Sequence, residues 1–426
     1  MADTLRKDTV DKYGRSMPAI SSLMDDSVIF DNYIATAPWT VPSHLTMFTG
    51  RYTLDHKIDV SEDANIYDLL ERPKYAYKPI QRVLHEMGYF TMGISANIQI
   101  SQYSRMEYGF DYFSYVDPMA VDGTDSLKSL RTQVTTEYGT TKMEIIESAI
   151  KKGSYLDLAS KYRKYRKLKS IAELNGLPFN KNGRKIAELL ANSSFEEPFY
   201  MYINVMEMHE PYTKKIESYF GHFVRDSTSA KELEELANSY NSELSEVDSV
   251  LGLVVRSLKS RNLYDNTTII FTSDHGEMLG EHGCLDHGVF LWDELVKAPL
   301  IIKFPHNFKY KPRGYQDTSM FYNFITLQTE GGSNPEDFSR EVGFSESNGM
   351  GKDMIKYKTD SRYENIRRKY DVVSKAIYKD GFKLWLNLSD GNVIEFTKDG
   401  HEVTDKVTLS NLTEELLSFS KGERKD

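Results

Sequence analysis

Short, continuous apolar runs constrain the fold of this chain more than any other feature of its sequence. Residues Thr267–Thr272 form a continuous run of β-branched and aromatic residues, and Phe199–Met206 and Leu300–Phe304 are apolar apart from Asn204 and Lys303. Such runs are typical of strands that are buried on both faces of a parallel sheet. Because helical patterns separate the runs, the sequence predicts an α/β fold with a doubly wound, mostly parallel sheet.

Two amphipathic patterns predict helices that would cover this sheet. Lys78–Met87 is followed by Gly88, a residue suited to the end of a helix. Lys231–Lys259 carries apolar residues at alternating spacings of three and four, which places them on one face of a helix ending near Asn262.

The length of 426 residues allows one large domain or two linked domains. We expect a catalytic α/β domain over residues 1–310, with a mostly helical insertion at about Asp122–Asn192. Residues 311–426 are expected to form a smaller α+β subdomain with a short antiparallel sheet, after a polar, loop-rich stretch at Gly331–Lys369. The strands expected in this subdomain are Val372–Tyr378, Lys383–Leu388 and Val393–Phe396.

Composition excludes several classes of protein and site. A formal charge of −10 argues against a nucleic-acid partner, which normally requires a basic face. The single cysteine, Cys284, excludes a disulfide framework and a cysteine-rich zinc site. The sequence has no apolar run long enough for a membrane helix and no signal-peptide core after Met1, so we expect a cytoplasmic protein. It carries no signal for the oligomeric state.

Polar clusters stand where ligands bind in a doubly wound sheet, beyond the carboxyl ends of strands. Ser273–Glu277 follows one predicted strand, and Glu207–Tyr212 follows another. Two more clusters lie at Asp3–Asp8 and Thr36–His44. Any one of them is more often a turn with a capping aspartate or threonine. Together they supply the oxygen and imidazole ligands of a divalent cation.

Taken in order, the clusters resemble the motifs of the sulfatase-like branch of the alkaline phosphatase superfamily, and the likeness runs along the whole chain. The family's nucleophile motif is Cys or Ser, any residue, Pro, Ser and Arg, with Thr-Gly after four more residues. Thr40–His44 and Thr49–Gly50 match it. Asp3–Asp8 resembles the opening metal motif, Ser273–Glu277 the late metal pair, and His209 the histidine of the His-x-Pro-Tyr segment. The resemblance implies an alkaline phosphatase/sulfatase-like α/β fold.

Three departures from the family pattern bear on the chemistry. Thr40 stands where formylglycine sulfatases oxidise Cys or Ser to an aldehyde, which a threonine cannot yield. It resembles instead the threonine of related phosphodiesterases, phosphomutases and phosphoglycerol transferases. His44 replaces the motif's arginine, and Ser95–Asn97 replaces a Lys-Trp-His segment, so the sulfate-binding lysine is missing. Thr4 replaces the second opening aspartate, and His275 stands at a frequent asparagine position. This favours manganese or zinc, with calcium or magnesium as alternatives.

The start of the chain also departs from the family pattern. In the family an apolar central strand precedes the opening aspartate, whereas only Met1 and Ala2 precede Asp3. Either the natural start lies upstream of Met1, or the strand has been lost and the seating of Asp3 is weakened.

The resemblance implies a site in which a divalent metal activates the hydroxyl of Thr40 as a nucleophile. The implied metal ligands are Asp3, Thr40, Asp274 and His275. The implied catalytic residues are Thr40, His209 and His287. The implied substrate contacts are Arg6, His44, Asn97 and His282.

The implied function is metal-dependent hydrolysis of an anionic ester that is a small molecule or is linked to a glycan. The first interpretation is cleavage of a phosphoester, phosphodiester or phosphonate ester, or phosphoryl transfer, through Thr40. The second is an arylsulfatase-like sulfuric ester hydrolase. The third is a catalytically weak relative that binds an anionic glycan.

Overall fold

The computed structural model describes residues 1–56, 77–116, 181, 183–193, 196–329, 338–350, 360 and 362–421. Most of the predicted insertion Asp122–Asn192 therefore lies outside the described residues, as does much of Gly331–Lys369. Within the described ranges, no helix has the length and hydropathy needed to span a membrane.

Helices and strands alternate over the first three quarters of the chain. The helices are α1 (Lys7–Tyr13), α2 (Pro18–Asp25), α3 (Thr40–Thr49), α4 (Thr53–His56), α5 (Ile80–Glu86), α6 (Gly183–Asn192), α7 (Ala230–Ser242), α8 (Leu244–Ser260), α9 (Asp293–Val296), α10 (Met320–Thr329), α11 (Tyr363–Tyr370) and α12 (Lys406–Ser420). The strands are β1 (Val28–Phe30), β2 (Tyr33–Ile34), β3 (Phe90–Ser95), β4 (Tyr112–Tyr115), β5 (Phe199–Asn204), β6 (Ser218–Tyr219), β7 (Phe223–Val224), β8 (Ile269–Thr272), β9 (Met278–Leu279), β10 (Leu285–Asp286), β11 (Leu300–Lys303), β12 (Gln316–Asp317), β13 (Val342–Ser347), β14 (Ser374–Lys379), β15 (Phe382–Asn387), β16 (Val393–Lys398) and β17 (His401–Glu402).

The first residues of the chain join two three-stranded sheets into one layer. β3 pairs in parallel with β4 and β5, and β11 pairs with β1 and β8. The Ala2 N–H donates to the carbonyl of Thr272 at the end of β8 (2.9 Å), and the Asp3 N–H donates to that of Val205 just after β5 (2.9 Å). Residues 1–3 thus occupy the place between β5 and β8, and Asp3 is fully buried.

Both faces of this layer are covered, which confirms the doubly wound prediction. Along β11, the side chain of Ile301 packs into one apolar core with residues of α2, α7 and α8. Its neighbours Leu300 and Ile302 pack into a second core with residues of α3, α5 and α10. Side chains of successive strand residues point to opposite faces, so an unbroken apolar run is what a strand between two cores requires.

Two details of the predicted α/β layer were wrong. Leu300–Phe304 was expected to be a parallel strand, but β11 is antiparallel to both of its neighbours. A continuous apolar run reports burial on two faces and carries no information about strand direction. The single helix predicted over Lys231–Lys259 is divided at Glu243 into α7 and α8. The prediction missed this break because the apolar spacing continues across it. The helix predicted over Lys78–Met87 corresponds to α5, followed by Gly88 at a φ of 87°.

The C-terminal part contains the predicted antiparallel sheet. β13 to β17 pair in chain order, and α12 packs Leu412 and Leu416 against Ile377 and Leu384 of the sheet. The stretch Gly331–Lys369 was predicted to be polar and loop-rich, and its described residues include β13 and most of α11. Its polar composition concealed β13, whose buried Glu346 is neutralised by an ion pair with Lys375.

One pairing crosses the predicted domain boundary at residue 310. β12 pairs in parallel with β2, so residues Gln316–Asp317 are attached to the first part of the chain.

Candidate active site

The four predicted metal ligands meet at the carboxyl end of the central strands. Asp3 follows the short segment between β5 and β8, and Asp274 and His275 follow β8 directly. All three are fully buried, and they offer ligand atoms within 4.8 Å of one another. Thr40 begins α3, and its Oγ1 lies 3.3 Å from Nε2 of His275.

The two carboxylates have free oxygens that fit a cation. One oxygen of Asp3, Oδ2, accepts from the side-chain amides of Asn97 (2.8 Å) and Asn204 (3.2 Å). One oxygen of Asp274, Oδ1, accepts from the Thr4 N–H (3.3 Å). The other oxygens, Asp3 Oδ1 and Asp274 Oδ2, are buried and have no hydrogen-bond partner among the described residues. Leaving buried carboxylate oxygens unpaired is costly, and a divalent cation would satisfy both at once.

His275 is held in the form that a metal ligand requires. Its Nδ1–H donates to the carbonyl of Gly276 (2.8 Å), which leaves the lone pair of Nε2 directed toward Thr40 and Asp274. Burial, together with the nearby charge of His287, lowers the pKa of His275 to about 3. The ring is therefore neutral at ordinary pH, and the bond to the carbonyl fixes its tautomer and orientation.

Thr40 lies where a helix favours negative charge. It is the first residue of α3 and is 1% exposed, and Trp39 precedes it in an extended conformation. The first N–H groups of a helix have no acceptor within the helix, and the helix dipole adds positive potential there. The surroundings of the Thr40 hydroxyl therefore stabilise an anionic oxygen and an anionic ester beside it.

Thr4 is a candidate contributor to the metal site. From the sequence it was noted only as a departure from the family's opening motif. It is fully buried at a φ of 57°, a conformation that is strained for a β-branched residue. Its carbonyl accepts from the hydroxyl of Tyr240 (2.7 Å), while its own hydroxyl is buried without a hydrogen-bond partner. Its place in the opening motif was the signal that could have identified it.

His44 was predicted to contact substrate, but the structure gives it a supporting position. It is fully buried, and both ring nitrogens are engaged. Nδ1–H donates to the carbonyl of Thr40 (2.8 Å), and Nε2 accepts from the hydroxyl of Tyr202 (2.6 Å). His44 therefore has no ring nitrogen left for a ligand. It is hydrogen-bonded to the start of α3, and its Nδ1 lies 3.6 Å from Oδ2 of Asp274.

Arg6 was also predicted to contact substrate, and its donors are taken by the protein. The guanidinium forms a bidentate pair with Asp8 (2.6 and 2.9 Å) and bonds to Glu281 (2.7 Å) and to the carbonyl of Glu277 (3.2 Å). It is only 5% exposed. Arg6 thus ties the opening segment to the segment after β8 instead of reaching a ligand.

Asn97 also has a supporting position, whereas His282 packs on a tryptophan and remains partly exposed. The amide of Asn97 donates to Asp3 and its Oδ1 accepts from the Gln99 N–H (2.8 Å), so it orients a metal ligand. The ring of His282 stacks flat on Trp292, with centroids 3.8 Å apart, and its Nε2 faces Glu294 at 3.6 Å. These contacts hold His282 against the segment after β10.

The two predicted catalytic histidines lie together beside the metal-ligand cluster. The ring of His287 is 4.7 Å from that of His275 and 5.0 Å from that of His209, centroid to centroid. The Nδ1–H of His209 donates to the carbonyl of Glu210 (2.9 Å), which leaves Nε2 available. Thr40, His275, His287 and His209 therefore form a continuous polar row.

Two carboxylates keep His287 cationic. Its Nδ1 lies 3.2 Å from Glu277 Oε1 and 3.0 Å from Asp286 Oδ1. Burial alone would lower the pKa of His287, but the two carboxylates outweigh burial and raise it well above its ordinary value. The other oxygen of Glu277 is 2.9 Å from the hydroxyl of Tyr212. This group also has ligand atoms at metal spacing, and its two carboxylates exceed the single positive charge of His287 by one.

Comparison with known proteins agrees with this geometry. The family model described as Sulfatase matches residues 1–329, which is more than half of the chain. The chain is 29% identical over 138 residues to the uncharacterized sulfatase YidJ of Escherichia coli, covering 26% of this chain and 27% of that protein. It is 41% identical over 63 residues to an N-acetylglucosamine-6-O-sulfatase of Bacteroides thetaiotaomicron, covering 15% of this chain and 11% of that protein. These matches span about a quarter or less of the curated relatives' length.

Among solved structures, the phosphonate monoester hydrolase of Agrobacterium radiobacter is similar along nearly the whole chain. The two superpose with a TM-score of 0.64 at 16% identity, covering 99% of this chain and 95% of the other. At that identity the likeness shows the fold alone, which is the alkaline phosphatase-like α/β fold. Because the family match covers most of the catalytic part, the chain belongs to the sulfatase family, a family of ester hydrolases in the alkaline phosphatase superfamily.

Proposed function

We propose that the chain is a metal-dependent esterase that cleaves a phosphodiester or a phosphonate monoester through Thr40. The observation that carries this proposal is the position of the Thr40 hydroxyl. It lies 3.3 Å from the free nitrogen of a neutral, buried histidine and at the N-terminus of a helix. A threonine cannot become the aldehyde of formylglycine sulfatases, so its hydroxyl itself has to act.

The cation would be held by Asp3, Asp274, His275 and the hydroxyl of Thr40. Two carboxylates, one imidazole and one hydroxyl favour manganese or zinc, and magnesium or calcium are the alternatives. Bound there, the cation supplies Lewis-acid chemistry, which lowers the pKa of a hydroxyl and neutralises charge on the ester oxygens.

The side chains around the proposed cation site have separate roles in the reaction. Oγ1 of Thr40 loses its proton to solvent and forms a bond to phosphorus, while the bond to the leaving oxygen breaks and its electron pair departs with that oxygen. The cationic His287 binds the non-bridging oxygens, and His209, protonated on both ring nitrogens, gives its Nε2 proton to the leaving oxygen. Water then attacks phosphorus and gives one proton to Nε2 of His209. The bond between phosphorus and Oγ1 of Thr40 breaks, its electron pair stays on Oγ1, and this oxygen regains a proton from solvent.

The charge balance of the site favours a substrate that carries one negative charge. A divalent cation would cancel Asp3 and Asp274, and the charge of His287 is opposed by Glu277 and Asp286. With two carboxylates beside one imidazolium, the site has no positive excess, so a phosphodiester or phosphonate monoester with one negative charge meets less repulsion there than a phosphate monoester with two.

A sulfuric ester, which also carries one charge, is the second candidate substrate. The observation that favours it is the 41% identical segment shared with a protein named as a sulfatase of N-acetylglucosamine 6-O-sulfate. The third candidate, a weakly catalytic relative that binds an anionic glycan, has the same charge argument in its favour. Thr40 separates the first candidate from these two, because only a phosphorus ester is expected to be cleaved by an unmodified hydroxyl.

A substrate panel tests the proposal. Metal-free protein is reloaded with Mn²⁺, Zn²⁺, Mg²⁺ or Ca²⁺ and assayed with the p-nitrophenyl esters of phosphate, phenyl phosphate, phenylphosphonate and sulfate. We expect turnover of the phosphodiester or the phosphonate with Mn²⁺ or Zn²⁺, and kcat/KM at least about tenfold lower for the sulfate, which is roughly 1.4 kcal/mol of discrimination. A higher kcat/KM for the sulfate would establish the second candidate. Tight binding of a sulfated oligosaccharide without any turnover would establish the third.

A further inference from the structure

Lys181 is a buried cation that is hydrogen-bonded to the backbone of His209, the proposed general acid. It is 4% exposed and lies near the end of the sequence insertion Asp122–Asn192, in which no site residue was predicted. Its ammonium group donates to the carbonyl of Glu207 (2.7 Å) and to the carbonyl of His209. The ring of Tyr212 lies beneath it, with the centroid 5.2 Å from Nζ.

A second contact fastens the same loop to the start of α6. The Gly183 N–H donates to Oε1 of Glu207 (2.8 Å), so the carboxylate lies at the N-terminus of a ten-residue helix. A Cβ at Gly183 would come within 2.4 Å of that oxygen and 2.8 Å of Val250. Only glycine allows this approach, and the negative charge of Glu207 is favourable at a helix N-terminus.

Tyr212 connects the loop to His287. Its hydroxyl lies 2.9 Å from the carbonyl of Met208 and 2.9 Å from Oε2 of Glu277, whose other oxygen faces Nδ1 of His287. The backbone of residues 207–209 is therefore held at three successive carbonyls, two by Lys181 and one through Tyr212. Within the described part of the chain, the ring of His209 has one hydrogen bond, to the carbonyl of Glu210, so its position depends on this backbone.

We propose that Lys181 is a positioning residue for His209. By fixing the carbonyls on both sides of Met208, it keeps the ring of His209 beside His287 and within reach of an ester bound at Thr40. The inference rests on the proposed function for the role of His209, but the placement of the ring is a separate matter that structure alone can test.

The first test is structural and does not depend on activity. Crystal structures are compared for the wild type, Lys181→Met, Lys181→Arg and the surface control Lys185→Met. We expect a ring separation between His209 and His287 near the 5.0 Å of the wild type in the Arg variant and the control. In the Met variant, which keeps the stem but has no donor, we expect the rings to part. An unchanged separation in the Met variant would overturn the proposal, whatever the enzyme's substrate.

The second test is a double-mutant cycle on turnover of the ester that the wild type cleaves best. Lys181→Met should lower kcat on the order of 10²-fold, because misplacing a reacting group by about 1 Å has that effect, with KM changed far less. In a His209→Ala background the same change should lower kcat by less than about twofold. Lys181→Arg should retain most of kcat, since it also donates to two carbonyls. Equal losses in both backgrounds, or a Met variant as active as the wild type, would show that Lys181 does not act through His209.

Discussion

Replacing Thr40 with alanine is expected to lower kcat for phosphodiester or phosphonate cleavage on the order of 10³-fold or more. The methyl group of alanine leaves no oxygen to form the covalent ester, so only direct attack by water remains. The rest of the polar row, from His275 to His209, stays in place, because among its hydrogen bonds between described residues only the 3.3 Å contact to His275 uses the Thr40 hydroxyl. Three of the four proposed metal ligands also remain, so inorganic phosphate should still bind the variant in the presence of Mn²⁺.

Two matched variants make the Thr40 experiment specific. Thr40→Ser keeps the hydroxyl and should retain a measurable part of kcat, with mass spectrometry confirming that the serine has not been oxidised to formylglycine. Thr413→Ala removes a threonine hydroxyl from α12, where it donates to the carbonyl of Leu409, and should leave kcat unchanged. If Thr40→Ala turned over the substrate as fast as Thr40→Ser does, Thr40 would not be the nucleophile.

Replacing Asp274 with asparagine is expected to abolish cation binding. Compared with the wild type, the variant should be at least as stable without metal and less stable with metal. Without metal, the wild type keeps the unpaired oxygens of Asp274 and Asp3 buried close together. Removing one of the two charges relieves that repulsion, so the metal-free variant should melt no lower than the metal-free wild type. With metal, the variant should lose on the order of 10³-fold in kcat/KM, since the cation supplies several kcal/mol of transition-state stabilisation.

The measurement is thermal unfolding in chelator and in excess Mn²⁺, beside calorimetric titration of the metal. A ligand at about 100 times its Kd stabilises the native state by roughly 2.7 kcal/mol, so the wild type should gain several degrees in Tm. The variant should gain almost nothing. Asp11→Asn, a change on the exposed face of α1, is the control and should keep the full metal-induced shift. An equal shift in Asp274→Asn would place the cation elsewhere.

The sequence predicted the site through the geometry of strand ends. The runs before Asp274 and before His209 are rich in β-branched and apolar residues, and that pattern indicates burial between two layers of helices. Polar residues that directly follow such strands meet at one edge of the sheet, which places the clusters after β5 and β8 together. The clusters at Asp3–Asp8 and Thr36–His44 were added to this site through the resemblance to the sulfatase-like family. Asp3 lies between β5 and β8 because residues 1–3 form backbone hydrogen bonds to the segments on both sides.

The roles of individual side chains were harder to predict, because they depend on partners that are remote in sequence. Arg6 and His44 have the residue types of anion-binding groups, but Glu281 and Tyr202 occupy their nitrogens. The direction of β11 could not be inferred, since burial on two faces is the same for either direction. Lys181 lies in an insertion without a motif, and only its contacts with two loop carbonyls reveal a connection to His209.

The most direct test of the central claim is a search for a covalent ester on the side chain of Thr40 during turnover. Metal-loaded protein is mixed with an excess of bis-p-nitrophenyl phosphate, stopped with acid within the first turnover, digested and analysed by mass spectrometry. The account predicts a p-nitrophenyl phosphoryl group on the peptide that contains Thr40, at Thr40 itself. Release of p-nitrophenol in that first turnover with Thr40 unmodified, or with the group on another residue, would contradict it.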